Sequence, residues 1–210
     1  ASAIITAVGN GTDITNSNKV TKDTAIPEKY SFSMEYSTDD NLAIISGGVN
    51  VPDRVANAWG ANDESQQKSW YTAGVNTSNK PSLAVDSIKN NYSIRYNKVG
   101  VYKGKTVDLK VTVVDFETTP NPENISDREP VISFSNLDGT IAASVLDVKW
   151  LQLKLDFYET GTTTPITVAG NVTYWDVDND QGVVLDNNNK GIYATRSSQL
   201  KISTISGDNY

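Results

Sequence analysis

Apolar and polar residues alternate with a period of two along three stretches of this chain. In Tyr30–Tyr36 (YSFSMEY), Tyr30, Phe32, Met34 and Tyr36 alternate with Ser31, Ser33 and Glu35. In Thr106–Val113 (TVDLKVTV), Val107, Leu109, Val111 and Val113 share one side, and in Trp150–Phe157 (WLQLKLDF), Leu151, Leu153, Leu155 and Phe157 do. Successive side chains of a strand point to opposite faces, so these stretches predict half-buried strands rather than helices. Weaker patterns predict strands at Leu42–Ile45, Ser82–Ile88, Tyr92–Tyr96, Val131–Ser135, Thr167–Trp175, Gly182–Leu185 and Gln199–Ile205.

Between them stand turn formers: Asn10-Gly11, Gly47-Gly48, Lys103-Gly104, Asp138-Gly139 and Asn189-Lys190-Gly191. Many short strands separated by such turns predict an all-β fold, an antiparallel β-sandwich of jelly-roll or lectin-like type. The simplest division is a single domain over residues 1–210, with Thr118–Pro130 as a long exposed loop. Val51–Pro81 breaks the strand pattern. It is long and polar, with room for a helical turn or two over Ala56–Lys68, and it carries Trp59, Trp70 and Tyr71. Long loops in compact domains are usually functional or disordered, and two tryptophans argue against disorder.

Composition removes several chemistries. The chain of 210 residues has no cysteine and no histidine. Disulfides, thiol catalysis, a Ser-His-Asp triad and a histidine-held zinc are therefore excluded. The formal net charge of −7 argues against nucleic acid and anionic membrane surfaces as partners. No apolar run nears the ~18 residues of a membrane helix. The opening ASAIITAVGNGTD lacks a basic start and a long apolar stretch, so an excised fragment or a mature form is expected.

Tyr174–Leu185 (YWDVDNDQGVVL) admits three readings. Asp176, Asp178 and Asp180 would share a face of an extended strand and repel one another unless calcium neutralised them. An EF-hand is excluded, because Gln181 stands where its glycine belongs and Asn187 where its glutamate belongs. The second reading is a turn: Thr173–Val177 ends one strand, Asp178-Asn179-Asp180 bonds its own backbone, and Gly182–Leu185 starts the next strand. The third pairs Asp176 or Asp178 with a distant acid, Glu117 or Glu159, for glycoside hydrolysis. The candidate ligand-binding residues lie instead in the long loop. Trp59, Trp70 and Tyr71 offer aromatic faces, and Arg54, Asn57, Asn62 and Asp63 offer directional hydrogen bonds. The alternative is that these aromatics anchor the loop to the core. Trp150 and Trp175 adjoin strand patterns and are expected in the core or half-buried.

Tyr96–Val113 (YNKVGVYKGKTVDLKVTV), with VTYWDVDNDQGVVL some sixty residues later, resembles the non-repetitive ligand-binding domain of the CshA-type fibrillar adhesins of Gram-positive bacteria. The resemblance spans Ile88 to Ile205. It implies a lectin-like β-sandwich near the tip of a long wall-anchored fibril that binds a host matrix glycoprotein such as fibronectin, or partner microbes; a cell-surface glycan is the other expected partner. It transfers no binding residues, since the matching motifs read as scaffold. Lysine–asparagine isopeptide bonds occur in such surface domains, and Lys110 with Asp108 draws notice, but both lie opposite the inward Val107, Leu109 and Val111. The sequons at Asn10, Asn76, Asn91, Asn124 and Asn171 are read as incidental. The expectation is an extracellular adhesin module, monomeric, without catalysis and without a required cofactor. A stalk domain that only spaces a binding tip from the wall is the alternative, and a carboxylate-based glycoside hydrolase is third.

Overall fold

The computed structural model describes residues 3–9, 20–22, 26–35, 43–47, 70–74, 88–118, 131–135, 141–146, 148–177, 182–183 and 191–194. These contain the strands β1 (Ala3–Gly9), β2 (Val20–Lys22), β3 (Ala43–Ser46), β4 (Trp70–Gly74), β5 (Ser93–Tyr102), β6 (Lys105–Thr118), β7 (Val131–Ser135), β8 (Ala142–Leu146), β9 (Val148–Glu159), β10 (Gly170–Val177) and β11 (Gly191–Ala194). The only other multi-residue element among them is a 3₁₀ turn at Glu28–Tyr30. The described residues are all-β and predominantly antiparallel, as the alternation predicts.

The chain separates into two compact units. One joins its two ends, Ala1–Met34 with Thr167–Tyr210, and the other is the continuous middle, Glu35–Ile166. The division thus falls after Met34 and Ile166, and Thr118–Pro130 lies within the middle unit. In the unit made of the ends, the sheet runs β10-β1-β11-β2, antiparallel except where β2 meets β11. In the middle unit, β3-β5-β6-β9 form one antiparallel sheet and β4-β7-β8 a second.

The core of the middle unit obeys the sequence pattern. Val107, Leu109, Val111 and Val113 of β6 are buried, together with Ile94 and Tyr96 of β5. Ile132 and Phe134 of β7 are buried too, and the Phe134 ring lies 5.3 Å from that of Tyr92. Each fully buried aliphatic side chain contributes roughly 1.5–3 kcal/mol. The β5–β6 turn is made by Lys103 and Gly104, both at positive φ (48° and 78°). A two-residue loop with two positive φ values matches the right-handed strand twist, which is why glycine serves there.

Irregularities interrupt both strands, and the one in β6 shifts the phase of the alternation. β5 slips register between Tyr96 and Gly100, and Lys98 within the slip adopts φ 50°. β6 slips between Val113 and Asp115. Phe116 therefore turns inward, five per cent exposed, while Glu117 faces solvent. One extra residue in a ladder reverses the facing of the strand beyond it.

Several expectations are corrected. Tyr30–Tyr36 is no continuous strand. Tyr30 closes the 3₁₀ turn (its N–H donates to Pro27 O, 2.8 Å), and Phe32 makes a single bridge to Gly170. The alternation still holds as burial, with Tyr30, Phe32 and Met34 half-buried and Ser31, Ser33 and Glu35 exposed. Val51–Pro81 is not loop throughout, since Trp70–Gly74 is β4, paired with β7. Aromatic and β-branched residues there suit a pleated surface. Ile88 opens a tight turn, receiving the Tyr92 N–H at 2.9 Å, and the rest of the strand expected at Ser82–Ile88 lies outside the described residues. Trp150 is not core, at 42% exposed. The strand expected at Gly182–Leu185 is absent from Gly182 and Val183. The possible helical turns at Ala56–Lys68, and the strand expected at Gln199–Ile205, lie outside the described residues.

Truncating Leu109 to alanine removes a fully buried side chain, and Leu109→Ala is expected to cost about 2–5 kcal/mol. Val101, 65% exposed, is the control; Val101→Ala should stay within about 0.5 kcal/mol of the parent. Denaturant midpoints at constant m-value measure both.

Candidate functional site

The strongest polar cluster among the described residues centres on Asp108. Its parity places it opposite the inward face of β6, where the sequence predicts exposure, yet its side chain is four per cent exposed. The bulge in β5 and the turn after β9 cover it. Asp108 Oδ1 accepts from the Lys98 backbone N–H (2.9 Å) and from Thr160 Oγ1 (2.7 Å). Asp108 Oδ2 accepts from Arg95 Nε (3.0 Å) and lies 2.8 Å from Arg95 Nη2, with the Gly161 N–H at 3.4 Å. Arg95 Nη2 also donates to Thr162 O at 2.7 Å, and its guanidinium stacks 4.9 Å from the Tyr158 ring centroid. Burial alone would raise the Asp108 pKa. The hydrogen bonds from Thr160, Lys98, Arg95 and Gly161 outweigh it and hold the carboxyl below its ordinary value.

These donors come from β5, from its bulge, and from the turn that Thr162 closes by its N–H to Glu159 O (3.0 Å). The carboxylate therefore ties three elements together and presents nothing to a ligand. Asp108 is engaged by Arg95, while Lys110 faces Arg95 and Asp156 across its two ladders. Asn171 is likewise occupied, donating through Nδ2 to Tyr30 O (2.8 Å) and Phe32 O (3.3 Å).

A second polar group lies on solvent-facing β6 and β9. Glu117 and Trp150 are direct cross-strand partners, and Trp150 Nε1 donates to Glu117 Oε2 at 2.7 Å. Lys149 Nζ donates to Glu117 Oε1 at 3.3 Å. These bonds, that from Trp150 first, hold the Glu117 pKa below its ordinary value.

Of the candidate ligand-binding residues, Arg54, Asn57, Trp59, Asn62 and Asp63 lie outside the described residues. Trp70 and Tyr71 have their backbone in β4, at the edge of its sheet, opposite Ser135 and Phe134 of β7. Of the acidic stretch, Asp178 and Asp180 lie outside. Asp176 sits near the end of β10, where Trp175 and Asp176 together face the single residue Ile4. β10 runs to Val177, and the expected turn at Asp178-Asn179-Asp180 lies outside the described residues. Among the described residues no three acidic side chains gather as a cation site. No family model, curated protein or solved structure matches the chain.

The lowered Asp108 pKa sets a sign for acid stability. Its contribution is fully present above the unfolded value of about 3.9 and is lost as pH falls from there through the folded value. Asp108→Asn should lower stability at neutral pH by about 1–3 kcal/mol, because the amide cannot accept all these bonds. The gap between parent and variant should then narrow below about pH 4. Thermal melts across the acid range check this.

Proposed function

We propose that this chain is a binding module of a wall-anchored bacterial surface adhesin, a lectin-like β-sandwich at the cell surface that reversibly recognises a host matrix glycoprotein such as fibronectin, or a glycan. One observation carries the reading. The segment bearing the resemblance to CshA-type adhesins, Tyr96–Val113, forms the β5–β6 hairpin, and its buried acid is consumed by internal bonds. A hairpin so tied serves as scaffold, and recognition then belongs to loops carried on it. Two packed sheets are supported by the ring contact between Tyr92 and Phe134, which joins the β5 side of one sheet to β7 of the other.

The long loop is the assigned ligand site, through Arg54, Asn57, Trp59, Asn62 and Asp63, with Trp70 and Tyr71 at its exit. Tryptophan gives large contact area at low entropic cost, and arginine makes forked hydrogen bonds that lysine cannot copy. Recognition needs no covalent step. Glu117, a candidate acid of the hydrolase reading, has its pKa shifted down, whereas a general acid needs it raised. The module works as a monomer and without a bound ion, the acidic stretch serving as a turn beyond β10.

Trp59→Ala and Arg54→Ala should each weaken binding to immobilised fibronectin, or to the best ligand on a matrix-protein and glycan array, by about 1–3 kcal/mol while melting like the parent. Variants that melt early but bind normally once folded would make the aromatics core anchors. A blank array with an intact fold would leave the chain a spacer.

Calcium and chelator should give superimposable melts. A large rise with calcium, abolished by Asp178→Ala, would assign a metal to the acidic stretch.

A further inference from the structure

We propose that the solvent side of the β6–β9 ladder, centred on Trp150, is a second binding face, and that it takes a neutral oligosaccharide. The proposal goes beyond the loop site and shares no residue with it.

Strand parity builds the face. Leu151, Leu153 and Leu155 turn to the half-buried side of β9, which leaves Trp150, Gln152 and Lys154 on the other. The bulge between Val113 and Asp115 reverses the end of β6, so Asp115 and Glu117 stand beside Gln152 and Trp150 as their cross-strand partners. Alternate residues along a strand lie about 6.7 Å apart. A ring and two rows of hydrogen-bonding side chains are thus laid out along one side of the ladder.

The ring is held before any ligand arrives. A tryptophan 42% exposed would ordinarily lose rotamer freedom on binding, but the 2.7 Å bond from Nε1 to Glu117 fixes its plane. Pre-orientation removes part of that cost. An aromatic face is electron-rich and suits the weakly positive C–H bonds on the flat side of a pyranose. Carboxylates and ammonium groups around it offer acceptors and donors to the ring hydroxyls, an apolar platform with a few placed polar groups.

The charge pattern selects a neutral chain. The acids on this face are each matched by a cation: Lys89–Asp115 at 2.7 Å, Lys149–Glu117 at 3.3 Å, Lys154–Asp156 at 3.3 Å and Arg95–Asp108 at 2.8 Å, with Lys110 beside Asp156 as its cross-strand partner. Such pairing leaves little field to attract an anionic polymer. A sulfated or uronic-acid chain would have to displace these carboxylates, while a neutral sugar can hydrogen-bond to both members of a pair.

Titration of the whole chain with cellohexaose and chitohexaose tests this, with a heparin hexasaccharide as the anionic counterpart. The neutral hexasaccharides should bind, and Trp150→Ala should weaken them at least tenfold with an unchanged melt. Glu117→Gln, which keeps the ring but loosens its anchor, should weaken them several-fold. In the parent, the indole N–H resonance of Trp150, assigned from the spectrum of Trp150→Phe, should shift on adding cellohexaose. This readout holds even if the alanine variant folds poorly. Absence of neutral-sugar binding at millimolar concentration, an unmoved Trp150 resonance, or preference for the heparin fragment would overturn the proposal. Sugar binding lost in Trp59→Ala but retained in Trp150→Ala would place sugar recognition in the long loop, ending this inference and leaving the adhesin reading intact.

Discussion

Burying the Asp108 carboxylate is the constraint on which the middle unit's geometry rests. Taking such a group out of water costs several kcal/mol, and an arginine alone repays this only with good geometry and further hydrogen bonds. Here Arg95, the Lys98 amide, the Thr160 hydroxyl and the Gly161 amide converge on it. Lys98 can donate only because the β5 bulge holds it at φ 50°, a conformation unfavourable for a side-chain-bearing residue. The turn at 159–162 must close over β6 to bring Thr160 and Gly161 within reach. A bulge, a strand and a turn far apart in the chain are therefore fixed against one another by one side chain.

That fixing bears on the outer face. β6 and β9 stay paired from Val107–Glu159 to Thr118–Val148, with two shifts of register on the way. The clamp anchors one end of this ladder. At the other end, the slip after Val113 decides which residues meet solvent. Without it, Phe116 would face out and Glu117 in, and Trp150 would have no acceptor for its indole N–H. The same extra residue thus adds an aromatic to the core and supplies the polar partner of an exposed ring.

The fold is legible in the sequence where alternation runs unbroken and illegible where it changes phase. Val107, Leu109, Val111 and Val113 are buried as their spacing predicts. The alternation stops at Val113, because VVDF breaks the rule that identifies the strand; that break is the mark of a bulge. Residue type alone assigns Trp150 to the core, although its parity, shared with Gln152, Lys154 and Asp156, puts it on the polar side. The Arg95–Asp108 pair is beyond reach, since it needs the register of two strands and the position of a distant turn. β4 hides inside a segment whose polar flanks read as loop. Of the candidate binding residues in Val51–Pro81, sequence offers types that suit binding, and the described structure adds only the backbone placement of Trp70 and Tyr71 on an edge strand.

A surface whose charges are matched pair by pair recognises little through long-range attraction, whatever the chain's total of −7. At separations beyond a Debye length of about 8 Å, paired charges are nearly invisible. Selectivity on the proposed β6–β9 face must then come from contact: ring stacking and the spacing of hydroxyl partners. Contact of this kind is effective only if the surface does not rearrange, because each side chain ordered on binding subtracts from affinity. The Nε1–carboxylate bond at Trp150 and the clamp at Asp108 act toward the same end at opposite ends of the sheet. One fixes the ring, and the other fixes the strands that carry it.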